Sequence, residues 1–384
     1  MGRLFNLIGL WAFACASVWA APPDPMIENL RSRLHKFPAS DGLLIKSFTN
    51  HSQSYVYDQA LAIIAFTKHG DQKTASGLLK GLSYLQKPDG SLYFSYYMDG
   101  KSPYPDEGGD KRFAGAIAWV AMSAVQYQHQ FRSKEFLEFN SKVLTYLKSQ
   151  MRPFKIKDQD LRAVTFAPSD IPGTPWEEQS TVALEHNLDA YSAFHYFNKL
   201  NPNSPWDKEA KDLKSFILAM WDPVRTHFWS GANIKTGLIN KGEMYLDNQS
   251  WSLLTLDKET LKSLNPIEAL QINCEAFYVN QEKISGFMDS KPTRRPANQK
   301  FIWSEGTYGQ ILAMEKIQSE NNTAILCDEK SAKFFLKSVN GLIREDGGVA
   351  YSNAKDHPDF STASSVAGTA WKYFADHGIN PFQI

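Results

Sequence analysis

Cysteine is scarce in this chain, three among 384 residues, and none of the three forms a CxxC pair. An HExxH helix, a calcium-binding loop and a phosphate-cradling glycine loop are also missing, so the sequence indicates no metal, nucleotide or other cofactor. Neither sign of charge is in excess, with 41 Lys and Arg against 41 Asp and Glu, and no basic stripe appears. Without that electrostatic footprint, nucleic acid is excluded as a partner. No Pro, Gly or Ser linker divides the chain, which makes one domain the simpler reading.

The apolar run from about Leu4 to Val18 follows a single Arg3 and ends in the small residues Val18, Ala20 and Ala21. It reads as a secretory signal over residues 1–20 rather than a membrane span. Residues 21–384 are then the mature domain, periplasmic or secreted and without an integral membrane span. Cys15 behind Ala14 raises lipoprotein cleavage as an alternative, for which Ala12 and Phe13 are poor neighbours. Removal of the leader leaves Cys274 and Cys327, too few for a disulfide scaffold. They are expected as separate core thiols on two outer helices, with a bridge between neighbouring hairpins as the alternative.

What the chain has in quantity is helix. Six nearly all-apolar helices are each introduced by a polar cluster: Tyr57-Asp58-Gln59, Asp110-Lys111-Arg112, Glu185-His186-Asn187, Asp247-Asn248-Gln249, Trp303-Ser304-Glu305, and Ser361-Thr362 with Ser364-Ser365. Apolar bodies of this kind belong inside a protein, and their polar starts need a shared mouth. Between them lie helices with one apolar stripe, such as Phe136, Phe139, Val143 and Leu147, or Trp206, Ala210, Leu213 and Ile217. A single stripe marks a helix with one face in water. Asp24-Pro25, Ser204-Pro205 and Asn265-Pro266 each place a capping side chain before a proline suited to the first turn. Alternating buried and half-buried helices imply an inner ring wrapped by an outer one. Pairs of roughly 50 to 60 residues are too long for the common helical solenoid repeats and suit six hairpins. The expected fold is therefore an all-α (α/α)6 toroid of about twelve helices, closed by pairing the segment from Asp24 to about Lys36 with that from about Ser361 to His377. An open solenoid is the structural alternative.

A ring of parallel inner helices gathers its N-termini at one end, where unpaired N–H groups and helix dipoles favour acceptors. Asp58, Glu185, Asp247 and Glu305 occupy equivalent positions there and are the leading catalytic candidates, with capping as the bland role for each. Asp189 stands four residues after Glu185, on the same helical face. Asp247 with Trp251 four residues on, and Glu305 with Trp303 and Tyr308, pair a carboxylate with aromatic surface. Sugars need that combination, because their hydroxyls call for polar side chains and their C–H faces pack on rings. Tyr57, Gln59, Arg112, His186, Asn187, Gln249, Trp251, Trp303 and Tyr308 are accordingly the substrate-binding candidates. Gly306 is read as room for a substrate beside the backbone. Glu177, Glu178, Asp106 and Glu107 rank lower, in the loops before two inner helices. Glycosidic hydrolysis needs one carboxylic acid kept protonated and one carboxylate to activate water or attack. Glu185 with Asp247 or Glu305 is the expected acid and base pair.

The stretches YDQALA, EHNLDAY, LDNQSW, WSEGT and AWKYFADHGINPF, set on that helix rhythm over nearly the whole mature chain, resemble the six-hairpin (α/α)6 toroid glycosidase superfamily. The resemblance implies a carbohydrate-active enzyme with acids at the mouth of the inner barrel and a polysaccharide or oligosaccharide substrate. Three other readings stand beside it. A polysaccharide lyase would recruit His186, Asn187, Arg112 and Tyr308, but the mouth is acidic where a lyase for an anionic polymer needs cations. QKPDGSLYF is similar to the turn repeats of terpene cyclases, but no DxDD accompanies it. A carbohydrate-binding toroid would keep the same aromatic residues without catalysis.

Overall fold

The computed structural model describes residues 23–384 apart from 38–39, 102–103, 105–107, 168–179, 282, 292–299, 356 and 358. The leader, Glu177, Glu178, Asp106 and Glu107 lie outside the described residues. Among those described there are thirteen α-helices: α1 Pro25–Ser32, α2 Val56–His69, α3 Gln72–Leu85, α4 Ala114–Phe131, α5 Leu137–Ser149, α6 Leu184–Leu200, α7 Asp207–Ala219, α8 Leu246–Thr255, α9 Lys258–Lys262, α10 Pro266–Phe277, α11 Ser304–Asn321, α12 Ala332–Ser338 and α13 Val366–Asp376. Helices α2, α4, α6, α8, α11 and α13 pack each on the next, and α13 returns to α2. They are the inner ring, and α3, α5, α7, α10, α12 and α1 wrap it. Burial follows the sequence pattern: α2 is fully buried from Ala60 to Phe66, whereas α7 buries little beyond Glu209, Ala210, Leu213, Phe216 and Ile217. The ring closes where α1 packs on α13, and Asp24 and His377 approach to 2.8 Å. No described helix is long and apolar enough to cross a membrane.

The six hairpins share a hydrogen-bond register that their sequences hide. The first amide of every inner helix donates to a carbonyl in the loop leading to the next inner helix. Val56 donates to Phe94 (3.0 Å), Ala114 to Phe166 (3.3 Å), Leu184 to Ser230 (2.8 Å), Leu246 to Asp289 (2.8 Å), Ser304 to Tyr351 (3.1 Å) and Val366 to Ser47 (2.9 Å). A closed belt results, and it satisfies a donor that an isolated helix leaves unpaired. Five of the six cap residues, Tyr55, Phe113, Ala183, Tyr245 and Trp303, accordingly make no side-chain cap bond; Ser365 alone caps, onto Gly368.

A second set of bonds ties the fourth residue of an inner helix to the backbone two residues before a belt acceptor. Gln59 donates to Ile45, Thr369 accepts from Val349, and Thr307 exchanges bonds with both backbone groups of Phe287. Asn187 grips both backbone groups of Val164 (2.8 and 3.0 Å), and Gln249 both of Phe228 (2.8 Å each). Each such bond is worth about 1 kcal/mol when made and leaves a costlier buried orphan when broken. Only α4, with Ile117 at that position, lacks one.

Several expectations are corrected in detail. Cys274 and Cys327 form a disulfide, their Cα atoms 5.4 Å apart, because α10 and the turn before α12 pack side by side. Helix α7 starts at Asp207 rather than after Ser204-Pro205, and Ser204 instead bonds Asn198. Before α12 the chain forms the hairpin of Leu326–Cys327 with Lys330–Ser331, so that outer helix begins only at Ala332.

Candidate active site

Since an inner helix turns 100° per residue, its second and sixth positions share the face turned to the barrel axis. The second positions are Tyr57, Gly115, Glu185, Asp247, Glu305 and Ala367. The sixth, one turn deeper, are Leu61, Trp119, Asp189, Trp251, Gly309 and Trp371. The lumen is thus lined at its mouth by three carboxylates and a phenol, and below them by three indoles and one more carboxylate.

The deeper layer forms a floor. Trp251 stacks on Trp371, rings 5.7 Å apart and 7° from parallel, and Trp119 meets both edge-on at 5.8 and 6.2 Å. Beneath them Phe382 lies 5.0 Å from Trp119 and 5.4 Å from Trp251. The segment carrying it is held by Gln126 on the Pro381 and Gln383 carbonyls and by Asn380 and Gln383 on the Leu254 carbonyl. Among the described residues these rings close the lumen at the end away from the helix N-termini. Gly309 gives Trp251 its place, since a Cβ there would stand 3.2 Å from the indole nitrogen.

Three groups in the lumen hold protons that free carboxylic acids release. Burial raises Glu305 to about 8, with the charges of Asp58 and Glu185 adding to the shift and the Tyr57 hydroxyl opposing it. Tyr57 donates to Glu305 and accepts from the Trp371 indole at 3.1 Å. Burial, then Glu185, pushes Asp247 well above the carboxylate range. Asp189 is likewise raised by burial and by Glu185 and Glu305. Glu185 is the exception. Burial works against its charge, but His186, with Nε2 at 3.2 Å, and a hydrogen bond from Asp247 bring it below the ordinary value. Glu185 and Asp247 thus share one proton, with the charge on Glu185. The Glu185 side chain keeps about 32% exposure, in keeping with a carboxylate that meets the lumen.

An aromatic collar occupies the other side of the mouth. Rings succeed one another from His186 to Phe166 (4.5 Å, stacked), Phe113 (5.2 Å), Phe94 (4.9 Å), Tyr55 (5.0 Å), Phe48 (6.4 Å) and Tyr351 (5.8 Å). Tyr351 continues to Phe360 and Trp303. Most of these residues supply a belt carbonyl, cap an inner helix or adjoin one that does. The same backbone register that closes the ring therefore sets the collar.

Tyr57, Glu185, His186, Asp189, Asp247, Glu305, Trp251 and Trp303 are brought together around the lumen. Six other candidates are turned away, and their places are corrected. Gln59, Asn187 and Gln249 are the fourth-position ties, rotated some 200° from the lumen. Asp58, at the third position, meets Ser47, Arg33 and the Ala367 amide in the ring-closing seam, where burial raises it to about 7. Tyr308 is fully buried among the core residues of α11. Arg112 pairs with Asp89 at 2.7 Å and lies over the Tyr93 ring. Gly306 leaves no room for a substrate, because a Cβ there would strike the Trp303 ring at 2.3 Å. Trp119, Trp371 and Tyr351 were not among the sequence candidates. The signal for the first two is an indole in an apolar helix body four residues after a mouth position.

No protein-family model matches the chain, and no curated protein matches it in sequence. Solved structures match it in fold. A family 76 α-mannanase of Bacteroides thetaiotaomicron aligns at 10% identity over 92% of this chain and 93% of its own, with a TM-score of 0.62. A cellobiose 2-epimerase of Spirochaeta thermophila aligns at 10% identity over 93% of each, TM-score 0.68. A protein titled glycosidase aligns at 9% identity over 93% of this chain and 97% of its own, TM-score 0.64. Structures titled as variants of a glycosidase, with one tyrosine changed to phenylalanine or one of two glutamates changed to alanine, align equally well. The chain has the (α/α)6 toroid fold of these proteins.

Proposed function

We propose that this protein is an exported glycoside hydrolase that cleaves a neutral oligosaccharide or polysaccharide at the mouth of its inner ring. The observation that carries the reading is the placing of Glu185, Asp247 and Glu305 at the same turn around one lumen, where burial favours a proton on two of them. Carboxyl groups that flank a glycosidic bond stand about 5–9.5 Å apart, with the sugar or a water between them. Glu185 and Asp247 are hydrogen-bonded to each other, so they act as one unit and the opposing group is Glu305. Glu305, protonated at neutral pH, gives its proton to the leaving oxygen. Glu185, ionised, activates water or attacks the sugar, while Asp247 holds the proton they share. Tyr57 fixes Glu305, and the indole floor and aromatic collar receive the C–H faces of the sugar.

The lumen positions carry an ionised Glu185 and neither Lys nor Arg, which disfavours an anionic sugar at the point of cleavage and weighs against a lyase acting on uronates. That tyrosine and two glutamates were the residues substituted in a glycosidase of this fold is in keeping with the roles given to Tyr57, Glu185 and Glu305. The test is incubation of the purified protein with a polysaccharide panel beside Glu305→Gln and Glu185→Gln. New reducing ends that vanish in both variants support hydrolysis. Ultraviolet absorbance from an unsaturated product moves the assignment to a lyase, and isomerised sugar without cleavage moves it to an epimerase.

A further inference from the structure

Beside the mouth, on the side where the ring closes, lies a second cavity of about 780 Å³, which shares Phe48, Tyr55 and Phe360 with the collar and is otherwise unused by the mechanism above. Its walls come from three separate stretches. Phe48, His51, Gln53 and Tyr55 precede α2, Tyr104 belongs to the loop before α4, and Ala354, Lys355, His357 and Asp359 to Thr362 precede α13. It includes Ser361-Thr362, a polar cluster of the sequence that the catalytic lumen leaves aside.

The volume falls within the roughly 300–1,000 Å³ of small-molecule sites. Its chemistry is mixed in the way a saccharide requires. Phe48, Tyr55, Tyr104 and Phe360 offer ring surface, and hydroxyl, amide and imidazole groups stand between them. The one Lys and one Asp offset each other, so the lining favours a neutral ligand. Phe360 is built as a platform. One face stacks on Tyr351 at 5.4 Å and 13°, its edge is held by Phe301 at 4.5 Å, and it also lines the cavity. Phe48 and Tyr55, members of the collar, are the shared wall, and Tyr351 behind Phe360 accepts from the Ser304 amide at 3.1 Å, next in sequence to Glu305. A chain leaving the catalytic centre past Phe48 and Tyr55 therefore enters this cavity.

We propose that this cavity is an outer subsite that binds neutral sugar units of the substrate beyond the scissile bond, with Phe360 and Tyr104 as its stacking surfaces. The proposal rests on the hydrolase reading for its route to the catalytic acids. Its consequence is a preference for longer chains.

The test uses gluco- and manno-oligosaccharides from disaccharide to hexasaccharide, with wild type, Phe360→Ala and Tyr104→Ala. Cleavage gives kcat/KM for each length, and saturation-transfer NMR gives binding. Tyr104, held through a loop, is the safeguard should Phe360→Ala fail to fold. In wild type kcat/KM is expected to rise with length; Tyr104→Ala loses about tenfold on the longest substrates and nothing on the shortest one cleaved, and Phe360→Ala, whose ring also ends the collar, loses most on the longest. An equal loss at every length, or an undiminished gain with length, overturns the subsite. If wild type cleaves none of the panel, the hydrolase reading fails by itself. The subsite is then decided by binding: long oligosaccharides bound by wild type and released in the variants support it, and no binding or equal binding overturns it.

Discussion

The second and fourth residues of the inner helices sit in the same helical turn, are mostly polar at both places, and do opposite work. At the second position Glu185, Asp247 and Glu305 face one another across a lumen, where burial and like charge keep protons on two of them. At the fourth, Asn187, Gln249 and Thr307 face away and close hydrogen bonds onto buried backbone, satisfying nearly everything within reach. The difference teaches that polarity at a helix start is not a functional signal by itself. What decides is whether the turn of the helix gives the group a partner or leaves it facing like charges.

Mutation should separate the two positions cleanly. Glu305→Gln or Glu185→Gln is expected to lower kcat by about 10²–10⁴-fold with the fold intact, read by initial rates beside circular dichroism. Loss of the fold with loss of activity would erase the distinction. Glu305→Gln should also stabilise the protein at alkaline pH. A buried acid raised to about 8 binds more protons folded than unfolded, so its stabilising contribution declines as pH climbs from the ordinary glutamate range to about 8. The gain in Tm from the substitution should therefore be larger at pH 8 than at pH 5. Gln249→Ala is the converse case. It strands both backbone groups of Phe228 and should cost about 2–4 kcal/mol by urea unfolding, with kcat of the folded fraction little changed.

Smaller effects sharpen the picture. The alkaline limb of kcat/KM should fall near pH 8 as Glu305 ionises, and Tyr57→Phe, which removes a hydrogen bond that favours the ionised form, should move that limb upward. A limb unmoved by Tyr57→Phe would take the acid role from Glu305. Arg112→Ala should do least, within about 1 kcal/mol of stability, because its pair with Asp89 is half in water.

The double ring, its closure and the faces shared by Glu185 with Asp189 and Asp247 with Trp251 were all legible in the sequence, because each rests on local periodicity. The register of the first turn was not. Whether Tyr57 or Asp58 looks into the lumen depends on which residue begins α2, and that is set by the Val56 amide meeting a carbonyl 38 residues later, at Phe94. Asp58 was therefore read as catalytic where its neighbour Tyr57 lies at the lumen. Trp119 and Trp371 were hidden for a related reason: an indole in an apolar helix body looks like core until the neighbouring helices show that it floors a cavity. The Cys274 and Cys327 bridge depends on packing between two hairpins, which spacing along the chain does not convey.

The belt of six amide bonds has no first member. Val366 reaches Ser47 as Val56 reaches Phe94, and the juncture of α1 with α13 differs from the other five chiefly in that no peptide bond crosses it. Order along the gene is thus incidental to the architecture. With Asp24 and His377 in contact and the tail after His377 kept in place for Phe382, a linker can run from the end of that tail to Asp24, and new termini can open at the exposed Pro88-Asp89 turn. A circularly permuted chain of this kind is expected to rebuild the same ring, because the hairpins recognise their neighbours and not their rank.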